Sequence, residues 1–149
     1  TKEMVNGKDV FMTTSNGTRA IESSANGSKK LFIACFLNIE SVVNKLIEEN
    51  QDTVIICSGT NDEFSLDDAL CAGEIVKRLA EKVKDIKLSD ISLAVKIIAE
   101  NSKGIEDTLT GSKHFEYLKS IGFYGDMNHC FSIDKFDIVP EYRDGVIKN

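Results

Sequence analysis

Residues 9–19 read DVFMTTSNGTR, a short apolar run that ends in a polar loop with one glycine. The first six of these residues are typical of a buried strand that closes in a turn at Asn16-Gly17. Two more runs rich in β-branched, aliphatic and aromatic residues lie at 31–36 and 53–57, and the second closes at Ser58-Gly59. Continuous apolar runs, unlike alternating ones, are typical of strands covered on both faces. The pattern therefore predicts three buried strands.

Helical patterns fill the intervals between these runs and most of the chain beyond them. Asn38 can cap a helix whose apolar residues recur at helical spacing, and Ser65 with Asp68 predicts a capping box at the start of a long helix. Further helices are predicted at 19–24, after Ser89, at 112–121 and at 126–131, and a final strand at 137–139. Strand, loop and helix repeated in this order predict right-handed crossovers with helices on both faces of a sheet. The expected fold is α/β, with three layers (α/β/α) around a largely parallel or mixed sheet.

Length and composition indicate one ordinary cytoplasmic domain. The 149 residues carry a net charge of −6, which argues against a nucleic-acid-binding surface. The longest apolar runs are far shorter than the ~20 residues of a membrane helix. No linker-like segment divides the chain, so residues 1–149 are expected to form a single domain. The absence of an initiator methionine before the first strand leads us to expect the carboxy-terminal part of a longer protein. Association into a homo-oligomer is left open.

The four cysteines are widely spaced and form no CxxC pair, so neither a disulfide framework nor a zinc site is predicted. Cys35 and Cys57 lie in or at the end of apolar runs, where a thiol usually serves as a small hydrophobic side chain. Cys71, within the long predicted helix, is also interpreted as a packing residue rather than a nucleophile.

Ligands of parallel α/β sheets bind beyond the carboxyl ends of the strands. The loops that would meet there are 15–19, 37–38 and 58–65. The first loop consists of Ser15, Asn16, Gly17, Thr18 and Arg19. Backbone N–H groups at a helix start, together with hydroxyls and a guanidinium, suit a phosphate or a sulfonate. The spacing also allows a simple Asn-Gly turn with a surface arginine.

The third loop and the helix start after it gather four carboxylates: Asp62, Glu63, Asp67 and Asp68. Such clusters suit Mg²⁺, which often takes only one or two protein carboxylates and completes its shell with substrate phosphate and water. Acidic residues in a first helical turn also interact favourably with the helix dipole without any metal. The two histidines, His114 and His129, are interpreted as surface or packing residues. The sequence lacks the loops of cysteine phosphatases, aspartyl-phosphate enzymes and P-loop proteins, and it lacks the zinc-protease helix.

Residues 12–20 resemble the Thr-Thr-Thr-Asn-Gly-Thr-Arg-Ala signature of the 2-phosphosulfolactate phosphatases of coenzyme M biosynthesis, with serine at 15 in place of one threonine. Residues 57–59 and 63–73 are similar to a second signature of that family, which usually has Glu-Asp at the position of Asp67-Asp68. The segment 114–140 is similar to the family's closing segment in order and spacing. The resemblance spans nearly the whole chain.

The resemblance implies an α/β/α fold, a magnesium ion and hydrolysis of the phosphate ester of a small sulfonated acid. Members of the family also carry an amino-terminal portion with three further motifs, none of which occurs in this chain. If those motifs supply part of the site, the 149 residues hold only half of it.

The resulting hypothesis is a magnesium-assisted phosphomonoesterase acting on a small anionic organophosphate. The loop 15–19 would bind the phosphate or sulfonate, and Arg19 would bind it through two hydrogen bonds. Asp68 is the first candidate for a metal ligand or general base, and Asp67 is the second. Two alternatives stay open: a non-catalytic domain that binds a small anion, and a phosphatase of the same fold that acts on another organophosphate.

Overall fold

The computed structural model describes residues 2–149. The helices are α1 (Lys2–Val5), α2 (Gly17–Ala25), α3 (Ile39–Glu49), α4 (Leu66–Lys82), α5 (Asp90–Glu100), α6 (Ile105–Leu109), α7 (Lys113–Ser120) and α8 (Tyr124–Cys130). The strands are β1 (Leu31–Phe32), β2 (Glu141–Arg143) and β3 (Val146–Lys148), and a 3-10 turn covers Phe36–Asn38. The predicted mixture of helix and strand is confirmed. Within this part of the chain, no helix combines the length and apolar character that a membrane crossing needs.

The core lies around α4, which packs against α3 on one side and α5 on the other. Four of the apolar positions expected on the inner face of α4 are buried, whereas Leu66, Leu79 and Val83 are half-buried. The inward residues of α3 and single residues from four later helices are buried as well. These buried residues are Ile39, Val42, Val43, Ala69, Leu70, Ile75, Val76, Ala99, Leu109, Phe115 and Met127. Helical spacing in the sequence predicted most of this face, because apolar residues three and four apart share one side of a helix.

The helix starts agree with the predicted caps in position but not always in bonding. The side chain of Ser89 accepts a hydrogen bond from the N–H of Ser92 at 3.2 Å and so caps the helix that was predicted to begin after it. Ser65 precedes α4 as predicted, but its side chain makes no capping bond to the helix. The capping box with Asp68 was therefore wrong. The carboxylate of Asp68 instead accepts a hydrogen bond from the N–H of Gly59.

The three strands form an antiparallel sheet in the order β1-β2-β3. Tyr142 pairs with Leu31 on one side and Ile147 on the other. Strands β2 and β3 are joined at Asp144-Gly145, both with positive φ (50° and 83°), as a tight two-residue hairpin requires. The predicted strand at 137–139 lies outside this sheet. The strand pairings within residues 2–149 do not include the predicted parallel ones.

The runs at 9–14 and 53–57, predicted as strands buried on both faces, form no ladder with any described strand. The side chain of Phe11 is 97% exposed and that of Val54 is 83% exposed, whereas Ile55 packs against the core. Residues 53–57 therefore have one face against the helices and the other uncovered. The expected burial of Cys35 and Cys57 was wrong for these residues, since both are exposed.

Candidate active site

Loops 15–19 and 58–65, two of the three loops predicted to meet, are in contact. The N–H of Asn61 donates to Oδ1 of Asn16 at 3.2 Å, and the guanidinium of Arg19 forms an ion pair with Asp62. Both contacts line an open cavity of about 520 Å³, together with residues 56–58 and the exposed side of α2. The structure thus brings the start of α2 to the turn after residue 58, as the sequence predicted.

The start of α2 is held by two threonines one helical turn apart. The N–H of Thr18 donates to Oγ1 of Thr14 at 2.9 Å, and Oγ1 of Thr18 donates to the carbonyl of Thr14 at 3.1 Å. A Cβ atom on Gly17 would lie 3.3 Å from Oγ1 of Thr14, so the glycine permits this close approach. The first turn of α2 contains no acidic residue. Its positive end is therefore not neutralised from within the helix.

The facing loop is a tight turn at residues 60–63. Thr60 and Glu63 exchange backbone hydrogen bonds of 3.0 and 3.1 Å. Asn61 and Asp62 between them both have left-handed backbones, with φ of 54° and 63°. Asparagine and aspartate adopt this conformation more readily than other non-glycine residues, so the Asn-Asp pair suits the turn. Asp62 is thereby presented to Arg19 from a fixed backbone.

Asp68, in the first turn of α4, is turned back toward the loop at 58–59. Its Oδ2 accepts hydrogen bonds from the N–H of Gly59 at 2.6 Å and from Oγ of Ser58 at 3.3 Å. Burial raises the pKa of this carboxyl; the bond from Gly59 acts against that, and the charge of neighbouring Asp67 adds to it. The hydrogen bonds that described residues make to Asp68 involve Oδ2 alone. Oδ1 remains available as an acceptor.

Asp67 is bonded through both carboxylate oxygens. Its Oδ1 accepts from Oγ of Ser65, and its Oδ2 lies 2.9 Å from Nδ1 of His114. Burial acts to raise the pKa of Asp67, but the hydrogen bonds from Ser65 and His114 outweigh it and lower the pKa below its ordinary value. His114 was predicted from the sequence to be a packing or surface residue, and its pair with Asp67 was not predicted. A separation of 47 residues along the chain carries no local signal that two side chains meet.

His114 also lines a second cavity, of about 160 Å³, between the start of α4 and the start of α7. Thr60, Ser65 and Lys113 contribute to its wall. Lys113 is exposed and forms an ion pair of 2.6 Å with Glu63. The turn at 60–63 therefore borders both cavities, since Asp62 lines the one with Arg19 and Thr60 and Glu63 line the one with His114.

The described residues do not form a metal cage of their own. No group of three or more His, Cys, Asp or Glu side chains among residues 2–149 could hold a metal ion. The available donors near the loop are oxygen atoms: Oδ1 of Asp68 and the hydroxyl of Ser58. One carboxylate with substrate phosphate and water is a common donor set for Mg²⁺. The residues present fit a magnesium ion that is held jointly with its substrate.

The model of the family described as 2-phosphosulpholactate phosphatase matches residues 1–145 of this chain. A protein of Clostridium beijerinckii named "Probable 2-phosphosulfolactate phosphatase" is 42% identical over 146 residues, which are 98% of this chain and 61% of that protein. Proteins with the same name from Clostridium perfringens and Caldanaerobacter subterraneus subsp. tengcongensis are 40% and 35% identical over 147 residues each. These alignments cover 99% and 98% of this chain and 59% and 60% of the two relatives.

The chain thus spans about three-fifths of the length of the curated relatives it matches. The family match, residues 1–145, includes both candidate loops, the last helix and strands β1 and β2. With a family model covering almost every residue and relatives this similar, the chain belongs to the 2-phosphosulpholactate phosphatase family.

Proposed function

We propose that the full-length protein is a magnesium-dependent phosphatase that hydrolyses 2-phosphosulfolactate to sulfolactate and inorganic phosphate. Family membership and the names of the relatives support this activity. The observation that carries it is the meeting of the α2 start with the turn at 60–63. Ser58, in the wall of the resulting cavity, is bonded to Asp68, so an anion bound there would lie close to a half-buried carboxylate.

In this proposal the loop 15–19 binds the phosphate or the sulfonate group. The positive end of α2, the N–H groups of Gly17 and Arg19 and the guanidinium of Arg19 supply donors suited to an anion. Arg19 would exchange Asp62 for the substrate, because both are anionic partners for one guanidinium. The Arg19 and Asp62 side chains are 57% and 77% exposed, so breaking their pair costs little.

Asp68 is the proposed magnesium ligand through Oδ1, while Oδ2 stays bonded to the loop. When bound, Mg²⁺ would neutralise charge on the phosphate and so favour attack by water. The hydrogen bonds from Gly59 and Ser58 would fix the orientation of the carboxylate. Asp67 would not share the metal, since both of its oxygens are already engaged by Ser65 and His114.

The test is Asp68→Asn in the full-length protein, assayed with 2-phosphosulfolactate over a range of Mg²⁺ concentrations. Asparagine keeps an acceptor for Gly59 but loses the charge. We expect turnover to fall by about 10²-fold or more, as for an essential acid–base or metal-holding group, with a small change in melting temperature. The Mg²⁺ concentration that gives half-maximal rate should rise. Asp90→Asn is the matched control, because Asp90 lies in the first turn of α5, outside both cavities.

Near-normal turnover of Asp68→Asn with a lowered melting temperature would make Asp68 structural. A full-length protein that binds the substrate but does not hydrolyse it, with or without Mg²⁺, would instead be an anion-binding protein. If another organophosphate is hydrolysed with a higher kcat/KM than 2-phosphosulfolactate, the proposed reaction would stand and the proposed substrate would be replaced.

We also propose that residues 1–149 belong to a single cytoplasmic α/β/α domain with a mixed sheet that is completed outside them. Three observations support this: residues 53–57 make no ladder, their outer face is apolar and uncovered, and the relatives are longer by two-fifths of their own length. The four free thiols suit a reducing compartment. Hydrogen exchange of the full-length protein tests the sheet, because amides 54–57 should be strongly protected. Rapid exchange there would contradict it.

A further inference from the structure

The contact between Asp67 and His114 joins the first turns of two helices. Nδ1 of His114 on α7 lies 2.9 Å from Oδ2 of Asp67 on α4. The carboxylate of Asp67 is the acceptor in this bond, as it is in its bond with Ser65, so Nδ1 of His114 carries the proton. The second nitrogen of the ring, Nε2, is left for another partner.

The carboxylate of Asp67, which orients His114, is itself held by further hydrogen bonds. Oδ1 of Asp67 accepts from Ser65, and Oγ of Ser65 lies 3.1 Å from Oγ1 of Thr60 in the tight turn. Asp67 is therefore bonded on both sides and cannot rotate freely. A histidine ring held through one nitrogen by such a carboxylate has a defined tautomer and a defined direction.

The ring of His114 is accessible as well as oriented. It lines the cavity of about 160 Å³, and 34% of its side chain is exposed. The other cation in that wall, Lys113, is 78% exposed and is paired with Glu63. Asp67, the partner of His114, is the chain neighbour of Asp68, and Oδ2 of Asp68 is bonded to Ser58 in the wall of the cavity with Arg19.

We infer that His114 is the general acid of the phosphatase reaction, with Asp67 as its positioning residue. This inference rests on the proposed function. Water attacks phosphorus, the bond from phosphorus to the ester oxygen breaks, and its electron pair stays on that oxygen. Nε2 of His114 gives its proton to the ester oxygen, so that the alcohol leaves neutral. The proton released by the attacking water returns to Nε2 through solvent. Atoms and charge then balance, since one ester and one water give one alcohol and one phosphate.

The competing explanation is that the pair only ties α7 to α4. Comparing two substrates with different leaving groups distinguishes a general acid from a purely structural contact between the helices. A secondary alcohol such as that of sulfolactate leaves poorly without a proton, whereas p-nitrophenolate leaves readily as an anion. Loss of a general acid therefore harms the first ester much more than the second, and loss of a helix contact harms both alike.

The experiment uses the full-length protein with His114→Gln, assayed on 2-phosphosulfolactate and on p-nitrophenyl phosphate. We expect kcat on the alkyl ester to fall by about 10²–10⁴-fold with little change in KM, and kcat on the aryl ester to fall by less than about 10-fold. Asp67→Asn should lower kcat on the alkyl ester by a smaller factor. The double variant should be no slower than His114→Gln, because the two side chains act through one group. His129→Gln is the control, since His129 contacts Lys135 and lies outside this cavity.

Equal losses on both esters, or a loss of turnover that follows a lowered melting temperature, would overturn the inference and leave the pair as a helix contact. If the wild-type enzyme does not turn over the aryl ester, the test uses the alkyl ester only. An unchanged kcat of His114→Gln on that ester, whether or not its KM is raised, would then overturn the inference. A wild-type protein inactive on both esters would remove the proposed function as well. An active wild type with an equally active His114→Gln variant would remove only this inference.

Discussion

Gly73 on α4 faces the backbone of α5 so closely that a Cβ atom on it would lie 2.2 Å from the carbonyl oxygen of Val95. The same atom would be 3.0 Å from Cβ of Ala99. The first distance is too short for any side chain, and the atom it meets belongs to a helix backbone that cannot turn aside. The α4–α5 contact, at the centre of the core, therefore depends on a glycine at this position.

Gly73→Ala should destabilise the full-length protein by about 2 kcal/mol or more, because an added methyl group would force two packed helices apart. Urea-induced unfolding measures the change. Gly125→Ala in α8 is the matched control, since a Cβ there meets nothing within 4 Å. Alanine within a helix is favoured over glycine by roughly 0.5–1 kcal/mol, so the control should be neutral or stabilising. Equal stability of the two variants would contradict the close contact.

Arg19→Ala should weaken binding of the phosphate ester by about 10–100-fold, since a hydrogen bond to a charged group contributes roughly 1.5–3 kcal/mol. Inhibition by inorganic phosphate and the KM for the ester both measure this. Arg143→Ala is the control, because Arg143 is also exposed and paired with an acid, Glu141, but lies on β2 outside both cavities. Wild-type affinity in Arg19→Ala would remove the loop 15–19 from the site.

Asp62→Asn should act in the opposite direction to Arg19→Ala and tighten anion binding several-fold, since one charge at about 4 Å in water is worth about 1 kcal/mol.

Cys71→Ala should retain most of the activity. Burial raises the pKa of the Cys71 thiol far above its usual range, and the charges of neighbouring groups, including Asp68, add to the effect. The thiol is therefore protonated at neutral pH and is a poor nucleophile. Iodoacetamide should label the exposed Cys35, Cys57 and Cys130 before Cys71, as peptide mass spectrometry would detect. Modification of Cys71 that abolishes activity in a folded protein would favour a cysteine nucleophile instead.

Stability in acid should depend on an ion-pair network that joins α3 to α4. Arg78 contacts Glu40 at 3.0 Å and Asp134 at 2.5 Å, and Lys82 also bonds Glu40. The hydrogen bond from Lys82 lowers the pKa of Glu40 below 4.5, and Arg78 adds to this. A lowered folded-state pKa stabilises the protein above the unfolded value, and this stabilisation is lost as pH falls through the folded value. Below about pH 4.5 the wild type should therefore lose stability more steeply than Glu40→Gln.

Melting temperatures of both proteins between pH 3 and pH 7 measure that difference. Glu48→Gln is the control, since Glu48 is 71% exposed and its one ion pair within residues 2–149 is with Lys45, three residues away. Arg78→Ala should be less stable at neutral pH, by about 1–3 kcal/mol, because its side chain is only 18% exposed and its two acidic partners would be left without it. Parallel curves for the wild type and Glu40→Gln would exclude a role for Glu40.

The sequence predicted the helices better than the sheet, for a physical reason. The starts of α3, α4 and α5 were predicted to within a residue, because capping residues and apolar spacing are local signals. Strands need partners from distant parts of a chain, and the runs at 9–14 and 53–57 have none within residues 2–149. The β2–β3 hairpin did carry a local signal, Asp144-Gly145, which the prediction overlooked.

The candidate site was predicted in part. The approach of loop 15–19 to loop 58–65 was predicted from the rule that loops at one end of a parallel sheet converge. The contacts of Asn16 and Arg19 show that the loops meet, although the described residues form only antiparallel pairings. The roles of these residues stay predictions. The Asp67–His114 pair could not be predicted, since neither residue carries a signal about the other. The bonding of Asp68 to Gly59 was missed because the capping position offered a simpler local partner.

The left-handed backbones of Asn61 and Asp62 have a thermodynamic consequence for recognition. Fixing a residue's backbone costs roughly 1–2 kcal/mol in conformational entropy, and in this turn folding has already met that cost through the Thr60–Glu63 bonds. An anion that reaches the cavity at Asn16 and Arg19 therefore meets one wall that is already rigid. Calorimetry of phosphate binding should show only a small unfavourable entropy from loop ordering, in contrast to sites that close a mobile loop over their ligand.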